Sequence, residues 1–146
     1  MDRFVLAQAF LTTTEPLAAL RLSDARLASD ARFPWIMLIP RRAGARELEH
    51  LTNGDRAQLI EEVIAAGSAV RAIGAALGRP VEKLNVGQIG NVTPQLHVHV
   101  VGRRSDDDCW PGPVWGQGEP RAYDERSLQA AKAAALTVLK AMQAAA

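Results

Sequence analysis

Apolar and polar positions alternate in several short stretches of this chain and cycle with a helical period in two longer ones. From Leu17 to Leu22, Ala18, Leu20 and Leu22 fall on one face and Ala19 and Arg21 on the other, the two-residue period of a strand. Ser23-Asp24-Ala25 supplies turn chemistry, and Arg26 to Asp30 is expected to return as the second arm of a hairpin. Trp35 to Ile39 is an uninterrupted apolar run between Pro34 and Pro40. Too short for a globular helix, it predicts a strand buried on both faces. Over residues 52–78 the period changes. Leu59, Val63, Ala66, Val70, Ile73 and Leu77 make one helical stripe, with Thr52 placed to cap it and Gly78 and Pro80 to stop it. Leu84 to Ile89 and Gln95 to Val101 read as strands, and too few residues separate them for a crossover helix, so they must run antiparallel. Arg103 to Gly118, broken by glycines and prolines, reads as loop. Asp124 or Ser127 caps a last helix over about 124–146, with Leu128, Ala131, Ala135, Val138 and Met142 on one side. Strands, long helix, strands, then helix predicts an α+β fold: an antiparallel sheet with the long helix across one face and an additional C-terminal helix.

Composition narrows the class. A length of 146 residues suits a single domain, 1–146, and 48% hydrophobic against 23% charged residues excludes disorder as the main state. With 17 basic and 16 acidic side chains the net charge is +1, which gives no electrostatic argument for a nucleic-acid partner. The longest apolar run falls far short of the ~20 residues that span a bilayer, so no membrane is expected. Met1-Asp2-Arg3-Phe4 lacks the ordered features of a signal peptide and is expected to belong to the fold. The single cysteine, Cys109, cannot form an internal bridge, and a reducing, cytoplasmic setting follows as the expectation.

Candidate chemistry concentrates in Gln95-Leu96-His97-Val98-His99-Val100-Val101. In a strand, Gln95, His97, His99 and Val101 share one face and Leu96, Val98 and Val100 the other, with imidazoles about 7 Å apart along the chain. Two of only three histidines are here. Three readings stay open. The imidazoles can serve only to hydrogen-bond within the sheet. They can ligate a metal, which needs a third or fourth donor from His50, Cys109 or Asp106 to Asp108, none at a recognised spacing. Or one imidazole is a nucleophile, being partly deprotonated at pH 7 without an added base. Elsewhere, His50 is expected at the surface or as a cap. Arg41, Arg42 and Asp106 to Asp108 are expected in solvent, Trp35 in the core, and Cys109 inert. Trp110 and Trp115 either wall a pocket or anchor their loop.

Taken in order, Ile36 to Arg42, the long helix, Leu84-Asn85-Val86-Gly87, Gly90-Asn91 and the Gln95–Val101 stretch resemble the histidine-triad (HIT) family of nucleotide hydrolases and transferases, over about residues 17–116. The family motif is His-φ-His-φ-His-φ-φ, φ being apolar. Trp110-Pro111-Gly112 is similar to the segment that follows the motif in the nucleoside phosphoramidase branch. The resemblance implies that His97 is the nucleophile on the α-phosphorus, forming a nucleotidyl-histidine, with His99 as phosphate and proton partner. Gln95 stands where the first histidine belongs, as an orienting amide that cannot carry a proton near pH 7. By the same resemblance Asn91, Gly90, Asn85 and Trp110 are expected near the substrate, and Asp30 at the ribose, unless it only caps a turn. A homodimer, a metal- and cofactor-independent reaction, and a dinucleoside polyphosphate or nucleoside phosphoramidate as substrate are implied in the same way. A nucleotide-binding module with lost turnover, and a metal enzyme using the His-x-His pair as ligands, are the alternatives.

Overall fold

Every residue of the run between the two prolines is buried, because its side chains feed two separate cores. Ile36 and Leu38 join one apolar cluster; Trp35, Met37 and Ile39 join another on the opposite face. The computed structural model describes residues 2–145, with side chains through Gln143. In chain order the elements are α1 (Gln8–Thr13), β1 (Thr14–Ala19), β2 (Ser23–Ala28), β3 (Trp35–Pro40), α2 (Asn53–Ala76), β4 (Lys83–Gly87), β5 (Val98–Arg103) and α3 (Glu125–Ala145). The five strands form one sheet in the order β1-β2-β3-β5-β4, antiparallel at every junction. The α+β architecture expected from the pattern is the one observed.

Helix α2 lies across β3 and β5. Thr52 caps it by accepting the Asp55 N–H, and Gly78 ends it at φ +75, a left-handed conformation that glycine adopts without strain. Leu59, Ala66, Val70 and Ile73 of the expected stripe are buried against the sheet, with Val63 and Leu77 partly so. Close approach is possible because Gly102 lacks a side chain: a Cβ there would stand 2.9 Å from the Val70 side chain and 2.7 Å from that of Pro34. Helix α3 begins after Asp124, whose carboxylate accepts the Ser127 N–H. It packs through Ala131, Ala135 and Leu139. Leu139, not the expected Met142, completes that face, and Met142 is 36% exposed. The expected end at Ala146 lies outside the described residues.

The first hairpin differs from expectation. Its turn spans Leu20 to Leu22, closed by Leu20 N–H to the Ser23 carbonyl at 2.8 Å, and Ser23-Asp24-Ala25 is strand. The cause is remote: the buried Glu62 carboxylate of α2 accepts the N–H groups of Leu22 and Ser23 at 2.8 and 3.0 Å. Helix α1 was also not expected. With six residues it shows too little of a helical period to be recognised. Strands β4 and β5 occupy 83–87 and 98–103, so the segment ahead of β5 that carries His97 is irregular.

Glu62→Ala leaves two hairpin N–H groups without their acceptor and should destabilise the fold by about 3 kcal/mol, read as a lowered midpoint in urea with an unchanged slope.

Candidate active site

The site grows from the alternation of β5 and its lead-in. Leu96, Val98 and Val100 enter the core beneath α2, and Val101 enters the cluster on the other face. His97 and His99 project on that other face, each 5% exposed. Their rings meet edge to face with centroids 4.8 Å apart, nearer than the strand repeat because they lean together.

His97 Nδ1 lies 2.7 Å from the main-chain carbonyl of Gln95. A carbonyl only accepts, so Nδ1 carries the proton and the lone pair sits on Nε2. Burial pushes the His97 pKa down, against a smaller opposing pull from that carbonyl. Both effects leave a defined tautomer, with Nδ1 bonded to the carbonyl and the Nε2 lone pair free.

His99 is held the other way. The Trp35 indole N–H donates to its Nδ1 at 3.1 Å, so the proton of His99 is on Nε2, toward the carbonyl of Ile89. Burial, then the neighbouring His97, push its pKa down to about 4, the Ile89 carbonyl acting in the opposite sense. The Trp35 N–H at Nδ1 and the burial both favour the neutral ring. Trp35 is buried as expected, but it also holds the histidine. Nothing in its residue type announces this. The β3–β5 register, pairing Trp35 with Val101 and Met37 with His99, sets Trp35 diagonally beside His99. Trp115 packs on the same imidazole at 5.5 Å between centroids.

Gln95 meets His97 through its backbone. Its side-chain amide turns to the N-terminal segment, donating to the Val5 carbonyl and accepting from the Ala7 N–H, both at 2.8 Å. The expected orienting amide is thus an orienting carbonyl. Phe10 of α1, also unforeseen, packs edge-on to the His97 ring with centroids 4.8 Å apart.

The remaining expected residues separate into two groups. Asn91 is exposed and Gly90 half-buried in the loop before β5. Trp110 is 40% exposed and lies over the Arg103 guanidinium at 5.6 Å. Asp30 and Asn85 are consumed by structure. Asp30 is buried, and its oxygens accept the Arg32 N–H, the Arg32 guanidinium and the Arg121 N–H. Burial opposes its charge, but these donors hold its carboxyl below the usual range. Asn85 accepts from Arg103 at 2.8 Å.

Arg103 also pairs with Asp107 at 2.8 Å, their side chains 1% and 3% exposed. The acidic turn is therefore not wholly solvated: burial would raise the Asp107 pKa, yet Arg103 and two backbone N–H groups take it down to about 2. Arg41 and Arg42, expected free in solvent, pair with Asp24 and Asp55. His50 caps the short 3₁₀ turn Leu48–His50, accepting the Arg46 and Glu47 N–H groups. Among the described residues no group of three or more His, Cys, Asp and Glu is placed to hold a metal ion.

¹⁵N spectra should show His97 protonated on Nδ1 and His99 on Nε2 at pH 7, and His99 neutral down to about pH 5. Because folding lowers the His99 pKa from its ordinary 6.5, the unfolded chain takes up the proton first. Stability should therefore be free of this penalty above pH 6.5 and decline as the pH falls from there to about 4. Trp35→Phe removes a donor that requires a neutral ring, and should move the His99 titration upward.

The family model for the HIT domain matches residues 14–106. No curated protein sequence matches the chain. Among solved structures, a histidine triad protein from Bradyrhizobium japonicum is 34% identical with a TM-score of 0.88, the match covering 94% of this chain and 99% of that one. A histidine triad protein from Sinorhizobium meliloti 1021 is 37% identical with a TM-score of 0.83, covering 93% and 97%. One from Marinobacter aquaeolei VT8 is 35% identical with a TM-score of 0.86, covering 96% and 98%. With its paired imidazoles on the sheet face opposite α2 and this match along most of its length, the chain belongs to the HIT family, as a member with glutamine at the first triad position.

Proposed function

We propose that this protein is a nucleotide hydrolase or nucleotidyl transferase acting at the α-phosphate through His97. The observation that carries the reading is the His97 Nδ1 contact with the Gln95 carbonyl, which presents Nε2 as the attacking atom. Nε2 forms a bond to phosphorus, the leaving group departs with the electron pair of the broken P–O bond, and the ring becomes a positively charged nucleotidyl-imidazole. The Nδ1–H···O=C bond strengthens as that charge develops, a stabilisation specific to the transition state. Water or another acceptor then displaces the imidazole, releasing the nucleotide and restoring His97. Asn91, the backbone near Gly90, and Trp110 are the candidate substrate contacts.

The state of the site bears on the leaving group. His99 is locked neutral by Trp35, His97 is committed to attack, and Gln95 holds no exchangeable acid. A leaving group that needs protonation, such as an alkylamine, is poorly served. A phosphate leaving group is not, which favours dinucleoside polyphosphates over nucleoside phosphoramidates. The same lack of an acid supports the second reading, a nucleotide-binding module with little turnover.

No helix of the described residues is long and apolar enough to cross a membrane, and a cytoplasmic location fits the single unbridged cysteine. We propose a homodimer contact at β4, an edge strand of the sheet on which Val86 is 52% exposed, together with the outer face of α2, where Ile60 and Ile64 are 59 and 55% exposed. An edge strand flanked by exposed apolar residues is a natural pairing surface.

Incubation with a dinucleoside polyphosphate should give a mono-nucleotidyl adduct on His97 by intact mass, labile to acid. His97→Ala should lose turnover by at least ~10³-fold, the scale of removing a nucleophile. Nucleotide binding without any product from the unaltered protein would instead establish the binding module. Ile64→Arg should shift the sedimenting species from dimer to monomer.

A further inference from the structure

The side chain that stands in for the first triad histidine is spent away from the imidazoles. The Gln95 amide bonds the Val5 carbonyl and the Ala7 N–H, two groups that share one edge of an extended chain. A primary amide offers its donor and acceptor side by side, as a peptide group does, and so pairs with that edge. The two nitrogens of an imidazole direct their N–H and lone pair away from one another, so the ring cannot engage both groups.

The segment held this way continues directly into α1. Phe4, Leu6 and Ala7 pack on the apolar cluster of the site face. Phe10, 3% exposed, meets the His97 ring edge-on. The far end of α1 is tied as well: the Thr14 hydroxyl donates to the Phe10 carbonyl at 2.5 Å and accepts from Arg26 at 2.6 Å. Residues 5–14 are thus a strap fixed at both ends, with Phe10 between them on His97. The His97 ring is left with three restraints: the Gln95 carbonyl at Nδ1, His99 at one side, and Phe10 at another.

We propose that Gln95 is a positioning residue whose amide latches the N-terminal strap over the site, so that Phe10 holds the His97 ring in its attacking orientation. This rests on His97 as the nucleophile. It gives the glutamine a purpose that a histidine at the same position would not serve. Putting the triad histidine back therefore harms the enzyme.

The test uses the full chain and four variants: Gln95→His, Gln95→Glu, Phe10→Ala and Phe10→Leu. Two measurements are made on each: kcat and KM for a dinucleoside polyphosphate, and the rate of His97 acylation by diethylpyrocarbonate, located by peptide mass. Gln95→His and Phe10→Ala should each lower kcat about 10-fold, the scale of a misplaced reacting group, with KM changed less than 3-fold. His97 should be acylated several-fold faster in both. Phe10→Leu, which keeps an apolar side chain on the ring, should recover most of kcat. Gln95→Glu, which keeps the acceptor for Ala7 but loses the donor to Val5, should fall between. A Gln95→His protein with raised kcat, or a Phe10→Ala protein unchanged in kcat and acylation rate, overturns the proposal. Turnover surviving in His97→Ala would overturn the nucleophile assignment, and the latch would still be decided by the acylation rates.

Discussion

Two imidazoles side by side on a buried sheet face are each fixed by a hydrogen bond at Nδ1. Trp35 fills Nδ1 of His99, and the Gln95 carbonyl fills Nδ1 of His97. A buried imidazole with an unmet donor or acceptor costs as much as a lost hydrogen bond, and a charged one costs more. The arrangement therefore selects neutral rings in opposite tautomers. From that choice follow the free lone pair on His97 and the Trp35-bonded Nδ1 of His99.

The rest of the fold supports that pair from a distance. Strands β3 and β5 are covered on one face by α2 and on the other by the N-terminal segment and the loop carrying Trp115. Arg103, at the end of β5, ties the site strand to β4 through Asn85 and to the following turn through Asp107. Breaking one partner of such a buried pair strands the other charge, so the turn after β5 is held firmly. Glu62 performs a parallel task at the opposite edge, fastening the β1–β2 turn to α2.

Legibility in the sequence followed the range of the interactions. The long helix, its cap and its stop were readable because capping and periodicity act within a few residues, as Thr52 and Asp55 show. The doubly buried strand between Pro34 and Pro40 was readable because its composition reports the burial. The division of β5 into an apolar face and a histidine face needed only a two-residue period. Asp107 was misjudged because an isolated acidic residue looks the same whether it meets solvent or a buried arginine. Helix α1 was missed because one buried residue, Phe10, is not a pattern.

The sequence by itself determined the class of fold, the clustering of imidazoles and the departure at Gln95, all carried by local period and residue type. Only the tertiary structure decided which nitrogen of each histidine holds its proton, and that Gln95 spends its amide on residues 5 and 7. It alone brought Trp35, Phe10 and Trp115 to the imidazoles. Those outcomes depend on groups up to 90 residues apart in the chain, brought together by strand register and by packing across the sheet. No local preference encodes a contact of that range.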